Sequence, residues 1–261
     1  MLEQRVRRLA EREDIFSHEV FAQIISRLCD EMSRSDVDHI DLRVGVVTSR
    51  WPWIRDLADA IEIFRDELAN YDALTVSFLG AVNLSKPSHE LDRIFTKVLE
   101  DGRTASLLKG LDINLLPGDL DNLNRYLNSL LYLQQGGLRI NFHLGELFDH
   151  GFSRHILSKI IPDRVGHGVL LLDNEDIVQL IKAHDICLDM CPVSNTLLGV
   201  CDWKQSSPAV KAMRLGIPVT INTDDPVLFG AGLSENIALA GLPPDQLNAV
   251  RLASKRYGYS R

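Results

Sequence analysis

Apolar residues at Phe21, Ile24, Ile25 and Leu28 in "VFAQIISRL" recur at the one-face spacing of a helix, and the β-branched run "HIDLRVGVV" that follows predicts a strand over residues 40–47. The pattern then repeats. "LADAIEIFRDEL" sets Leu57, Ile61, Phe64 and Leu68 on a single helical face, and "ALTVSFLGAV" predicts a second strand over 73–79. Further on come a helix near 89–100, a strand in "LKGLDINLL", a helix near 121–135 and the strand "LRINFHLGE", ending at His143. Helix 152–160, strand "RVGHG", helix 174–183, strand "ICLDM", helix 207–215, strand "PVTINT" and a helical segment from Pro244 to Lys255 complete the series. Two strands precede residue 80 and five follow it. Strict alternation of strand and helix implies a parallel sheet with crossover helices. A TIM-type (β/α) barrel is therefore expected, with seven strands visible where the closed form has eight. An open doubly wound sheet is the competing architecture, but the glycine-rich phosphate turn near its first strand is absent. No internal repeat or linker interrupts the chain, so residues 1–261 read as a single α/β domain.

Charge narrows the partners. The formal net charge of −8 argues against nucleic-acid and anionic-membrane surfaces, which favour basic patches, and leaves a small neutral or cationic molecule as the expected partner. No apolar run reaches the about 18 residues of a spanning helix, and the charged start "MLEQRVRRLAERED" has no signal-peptide core, so a cytoplasmic location is expected. Cys29, Cys187, Cys191 and Cys201 are too few and too scattered for a disulfide framework. Three of them, Cys187, Cys191 and Cys201, are zinc-ligand candidates, though without a paired C-x2-C; buried core thiols are the alternative.

The polar residues that carry chemistry fall at the predicted carboxyl ends of strands: His143 and Glu146, His167, Ser194 and Asn195, Asp224 and Asp225. In a barrel those ends form one rim, where active sites are built. His143 and Asp224 offer the imidazole and carboxylate that suit zinc. Glu146, in a partly desolvated pocket, can hold a proton and donate it; the alternative is a first-turn glutamate complementing a helix dipole. His167 lies between Gly166 and Gly168, a setting that permits close backbone approach. Trp51 and Trp53 in "SRWPWIR" suit either core packing or stacking on a base, with Arg50 or Arg55 in reach of a phosphate.

Taken together, "HLGE", "RVGHG", "CPVSN" and "NTDDP", in this order, closely resemble the motifs of the adenosine deaminase family of metal-dependent purine deaminases, from about Arg12 to the last helix. The resemblance implies zinc as cofactor, with His143 and Asp224 as ligands. It makes Glu146 the acid that protonates purine N1, and His167 the residue that orients or deprotonates the attacking water. Asp225 becomes the partner of purine N7. Gly118, in "LLPGD", is a looser match to the glycine that contacts N3, because the family segment reads "DLAGDE". The implied reaction is hydrolytic: water displaces the 6-amino group of adenosine or a related 6-aminopurine, ammonia leaves, and the 6-oxo product remains. The H-x-E and P-C-x-x-C signature of cytidine deaminases is absent, so the scaffold differs from theirs.

The chain departs from the family in one respect. The family's first strand carries an H-x-H pair that supplies two further zinc ligands, and no H-x-H occurs here. The expectation is a barrel lacking its first strand, with a neighbouring subunit or the amino-terminal helix covering the open edge. His39 with Asp41, and His150 with His155, are poor substitutes by position and spacing. A non-catalytic purine-binding or oligomerisation module is the alternative function.

Overall fold

The computed structural model describes residues 17–35, 37–45, 56–69, 71, 74–148 and 150–259. Trp51, Trp53, Arg50 and Arg55 lie outside them. Seven strands are hydrogen-bonded in chain order, β1 (His39–Gly45), β2 (Thr75–Asn83), β3 (Leu108–Asn114), β4 (Arg139–Leu144), β5 (Arg164–His167), β6 (Cys187–Met190) and β7 (Val219–Ile221). Pairing is parallel from β1 to β2 and from β4 through β7. This is the strand order of successive β/α units in a TIM-type barrel. By contact density the chain divides into two compact units, residues 1–82, 86–111 and 259–261 in one, 83–85 and 112–258 in the other.

In the first unit, α1 (His18–Arg34) is capped by Ser17, whose Oγ accepts from the Val20 amide. Its buried face is Phe21, Ile25 and Cys29, packed on Phe64 and Leu68 of α2 (Leu57–Leu68). Phe21 and Phe64 meet edge to face with ring centroids 4.7 Å apart. Ile24, assigned to the core by its spacing, is exposed, because the helix turns the i, i+4 row of Phe21, Ile25 and Cys29 inward. His39 and Asp41 bind each other at 3.0 Å, and Asp41 also accepts from the Tyr259 amide. Those contacts occupy the H-x-D pair within the unit.

The second unit carries α5 (Leu120–Gln135), α6 (His150–Leu157), α7 (Glu175–Ala183), α8 (Pro192–Leu197), α9 (Pro208–Arg214), α10 (Pro226–Phe229), α11 (Leu233–Ala240) and α12 (Pro244–Tyr257); α3 (Ser88–Glu100) and α4 (Gly102–Leu107) belong to the first. Ile140, Phe142, Val165, Leu188 and Val219 are buried strand residues. A buried ion pair ties three strands together: Arg164 Nε donates to both oxygens of Asp189, at 3.0 and 2.8 Å, and Thr220 Oγ1 donates to Asp189 Oδ1 at 2.8 Å. Register explains the convergence, since Asp189 sits directly opposite Thr220. Arg139 and Arg164 also donate to the carbonyl of Tyr257, at the carboxyl end of α12.

Three short helices, α8, α10 and α11, replace loops expected from the sequence, and β7 is three residues rather than the six of "PVTINT". Asn222 still donates its amide to Met190 beyond the end of β7, and three residues later Asp225 caps the next helix.

Candidate functional site

Asp112, His143, Glu146, His167, Ser194, Asn195 and Asp224 all belong to the second unit. The register of β4 and β5 sets His143 opposite Gly166 and Leu144 opposite His167, so the two histidines lie diagonally across adjacent strands. Glycine at 166 leaves room for the His143 ring: a Cβ there would stand 3.3 Å from His143 Cδ2, a tight contact. Gly145, at φ +65, turns the chain directly after β4, and a Cβ on it would overlap Leu171 at 2.6 Å. His167 itself adopts φ 66, and Asp224 adopts φ 60. Left-handed backbone at a non-glycine residue costs on the order of 1 kcal/mol or more and concentrates at functional positions.

The two histidines stand in a run of close polar contacts. His143 Nε2 lies 2.9 Å from Asp112 Oδ1, His143 Nδ1 lies 3.2 Å from His167 Nε2, and His167 Nδ1 lies 3.1 Å from Asn195 Nδ2. The Asn195 Nδ2 amide can only donate, so His167 Nδ1 accepts from it. Asp112, His167 and Asn195 are buried. Glu146 Oε1 approaches His167 Nδ1 at 3.5 Å. Asp112 is a site residue that the motif-based reading missed.

Glu146 lies between β4 and α6, not in the first turn of a helix, so complementing a helix dipole is not its role. Ser194 and Asn195 sit within α8, one element beyond the strand end. Ser194 Oγ donates to Asp224 Oδ2 at 2.6 Å, and Asn236, fully buried on α11, accepts from the Val193 amide through Oδ1 and so anchors α8. Asp225 caps α10, its Oδ1 accepting from the Leu228 amide at 2.9 Å. Gly118 lies in the 3-10 turn Pro117–Asp119, exposed, with nothing within 4 Å of where a Cβ would stand.

Two groups of three could hold a metal ion among the described residues: His143, Glu146 and His167, and His167, Cys191 and Asp224, with ligand atoms within 4.8 Å in each. Both include His167. The donor set of imidazole nitrogens and carboxylates suits zinc, but the expected pair, His143 and Asp224, is divided between the two groups. Cys191 groups with His167 and Asp224 rather than with Cys187 and Cys201, and all four cysteines are free thiols. Burial first, then the charges of Asp224, Asp189, Glu146 and Asp112, push its thiol well above the ordinary range. His150 and His155 both lie on α6 and belong to neither group. A cavity of about 130 Å³ opens beside Glu146 and His143.

The chain is similar to the adenine deaminase of Chelativorans sp. (strain BNC1), 36% identical over 121 residues, which are 45% of this chain and 37% of that protein. The matched stretch thus spans little more than a third of that relative's length. Its fold is similar to that of the adenine deaminase from Arthrobacter aurescens, with a TM-score of 0.77 and 18% identity over 92% of this chain and 74% of that one. An amidohydrolase from Burkholderia ambifaria with bound Zn matches with a TM-score of 0.76 and 19% identity, covering 96% of this chain and 70% of that one. No helix among the described residues is long and apolar enough to cross a membrane. The adenosine deaminase family model matches residues 10–244, and the chain belongs to that family.

Proposed function

We propose that the protein hydrolyses the 6-amino group of adenosine or a related 6-aminopurine, releasing ammonia and leaving the 6-oxo product, with zinc as cofactor. The observation that carries this reading is the buried run Asn195–His167–His143–Asp112 with Glu146 against it. His143 and Asp224 would hold the zinc, which when bound lowers the pKa of water to about 7 and so supplies a nucleophile near neutral pH.

The protein's own residues divide the remaining work. Asp112 holds the His143 ring in place. His167, held by Asn195 and by its left-handed backbone, would orient the attacking water. Glu146 lines the cavity and delivers a proton to the purine ring. Ser194 holds Asp224. By the family resemblance Asp225, oriented by its capping bond, would partner purine N7 and Gly118 the N3 edge, although neither lines the cavity beside Glu146.

A second reading, a non-catalytic purine-binding or oligomerisation module, is favoured by the division of the candidate ligands into two groups that share His167. Metal analysis by mass spectrometry, combined with an ammonia-release assay on adenosine and adenine, separates the two. Absence of both metal and turnover would reject the deaminase.

A further inference from the structure

Helix α8 does not stand by itself. Its six residues are too few for a helix stable in isolation, its cap residue Cys191 makes no side-chain capping bond, and Pro192 at the first position has no amide to donate. The first amide the turn offers is that of Val193. Its acceptor is Asn236 Oδ1, 3.0 Å away on a different helix, α11.

Asn236 is held firmly in turn. Its side chain is completely buried, and its Nδ2 donates at 2.7 Å to the Gly232 carbonyl, which its backbone amide also meets, at 3.3 Å. The Gly232 amide donates to Glu235 Oε2 at 3.0 Å. A flipped Asn236 side chain would set donor against donor at Val193 and acceptor against acceptor at Gly232, so one orientation is selected.

What α8 carries gives the Val193 bond its weight. Ser194 and Asn195, the next two residues, are fully buried; Ser194 Oγ donates to Asp224 at 2.6 Å and Asn195 Nδ2 donates to His167 Nδ1 at 3.1 Å. All of these residues belong to the second unit. We propose that Asn236 is a positioning residue: by holding the first turn of α8 it sets, through Ser194 and Asn195, where Asp224 and His167 stand. The work assigned to those two groups rests on the deaminase reading; their placement by Asn236 does not. None of the four sequence motifs contains Asn236. Asp224 and His167 serve the attacking water rather than the affinity for purine, so loosening α8 lowers kcat and leaves KM little changed.

The test compares Asn236→Leu, which removes donor and acceptor at similar volume, with Asn236→Asp, which keeps an acceptor for the Val193 amide and gives up only the donation to Gly232. Both should lower the urea midpoint, so stability alone does not separate them. Ammonia release does. Asn236→Leu should lose about tenfold or more in kcat, the scale of one hydrogen bond to a buried partner, while Asn236→Asp stays within a few-fold of wild type. Asn236→Ala is run alongside, since it opens the same bond without adding an apolar branch. Nitrogen NMR of the His167 ring at fixed pH, assigned against His167→Gln, reads the placement without turnover. Nδ1 should give the signal of an unprotonated acceptor in the wild type and in Asn236→Asp, and shift toward a tautomer mixture in Asn236→Leu and Asn236→Ala. Wild-type kcat and an unaltered His167 signal in either folded apolar variant, or an Asn236→Asp chain as impaired as Asn236→Leu, would overturn the proposal. A His167 signal that responds as expected in a chain that releases no ammonia rejects the deaminase and leaves the positioning standing. An active wild type whose His167 signal ignores both apolar variants rejects the positioning and leaves the deaminase standing.

Discussion

Removing the Asp189 carboxylate should cost far more stability than its small size suggests. The Arg164 and Asp189 side chains are only 9% and 11% exposed, and Arg164 Nη2 adds a contact at 2.7 Å to the two Nε bonds. In Asp189→Ala the guanidinium stays buried without its counter-charge, a situation that costs about 3–5 kcal/mol. The Thr220 hydroxyl loses its acceptor as well, worth about 1 kcal/mol. A loss of about 4 kcal/mol, at a urea dependence of about 3 kcal/mol per molar, lowers the unfolding midpoint by more than about 1 M. Circular dichroism in urea reads it directly. The double replacement Arg164→Met with Asp189→Leu removes both charges and fills the volume, so it should recover most of the loss. A loss below about 1 kcal/mol in Asp189→Ala, or a double variant as unstable as the single one, would refute the assignment of this pair as mutually compensating buried charges.

Three further outcomes are expected. Glu146→Gln should lower kcat by about 10²- to 10⁴-fold in steady-state ammonia release while leaving hypoxanthine affinity within a few-fold of wild type. Asp112→Asn should weaken zinc retention by about 10- to 100-fold in a chelator competition, because His143 loses the carboxylate that orients it. Burial, with help from Asp30 and Asp202 respectively, raises the thiols of Cys29 and Cys201 from 9.0 to about 11. The protonated thiol is the form the fold favours, so this contribution is whole below pH 9.0 and is lost as pH rises through about 11. Urea midpoints should therefore decline across that range, and less steeply in Cys29→Ala.

Much of the fold was legible in the chain, for identifiable reasons. Helix α2 runs over Leu57–Leu68 as its apolar period predicts, because Asp56 caps it and the i, i+4 row is unbroken. Short elements were harder to read. Helices α8 and α10 each begin with proline at the first position, a signal present in "CPVSN" and "DDPVLF", but six and four residues give too little period to distinguish them from loops. Three motifs, "HLGE", "RVGHG" and "CPVSN", supply His143, Glu146, His167 and Asn195, which the structure brings together. Asp112 escaped notice although a signal existed: it is the acidic residue inside the apolar run "LDINLL", and a carboxylate in a buried strand needs a partner.

The two aspartates of "NTDDP" are separated by their local structure. Asp224 takes the left-handed turn and the Ser194 hydroxyl, while Asp225 takes the helix cap. Adjacent like charges thus face different partners, which lessens their mutual cost.

The most direct test of the central claim is a paired measurement on the full chain after incubation with zinc and removal of the excess: metal content by mass spectrometry, and ammonia released from adenine and adenosine. The account predicts about one zinc per chain, the stoichiometry of a single catalytic site, with ammonia release from at least one of the two purines that a chelator abolishes. A folded chain that retains no zinc and releases no ammonia from either would contradict it.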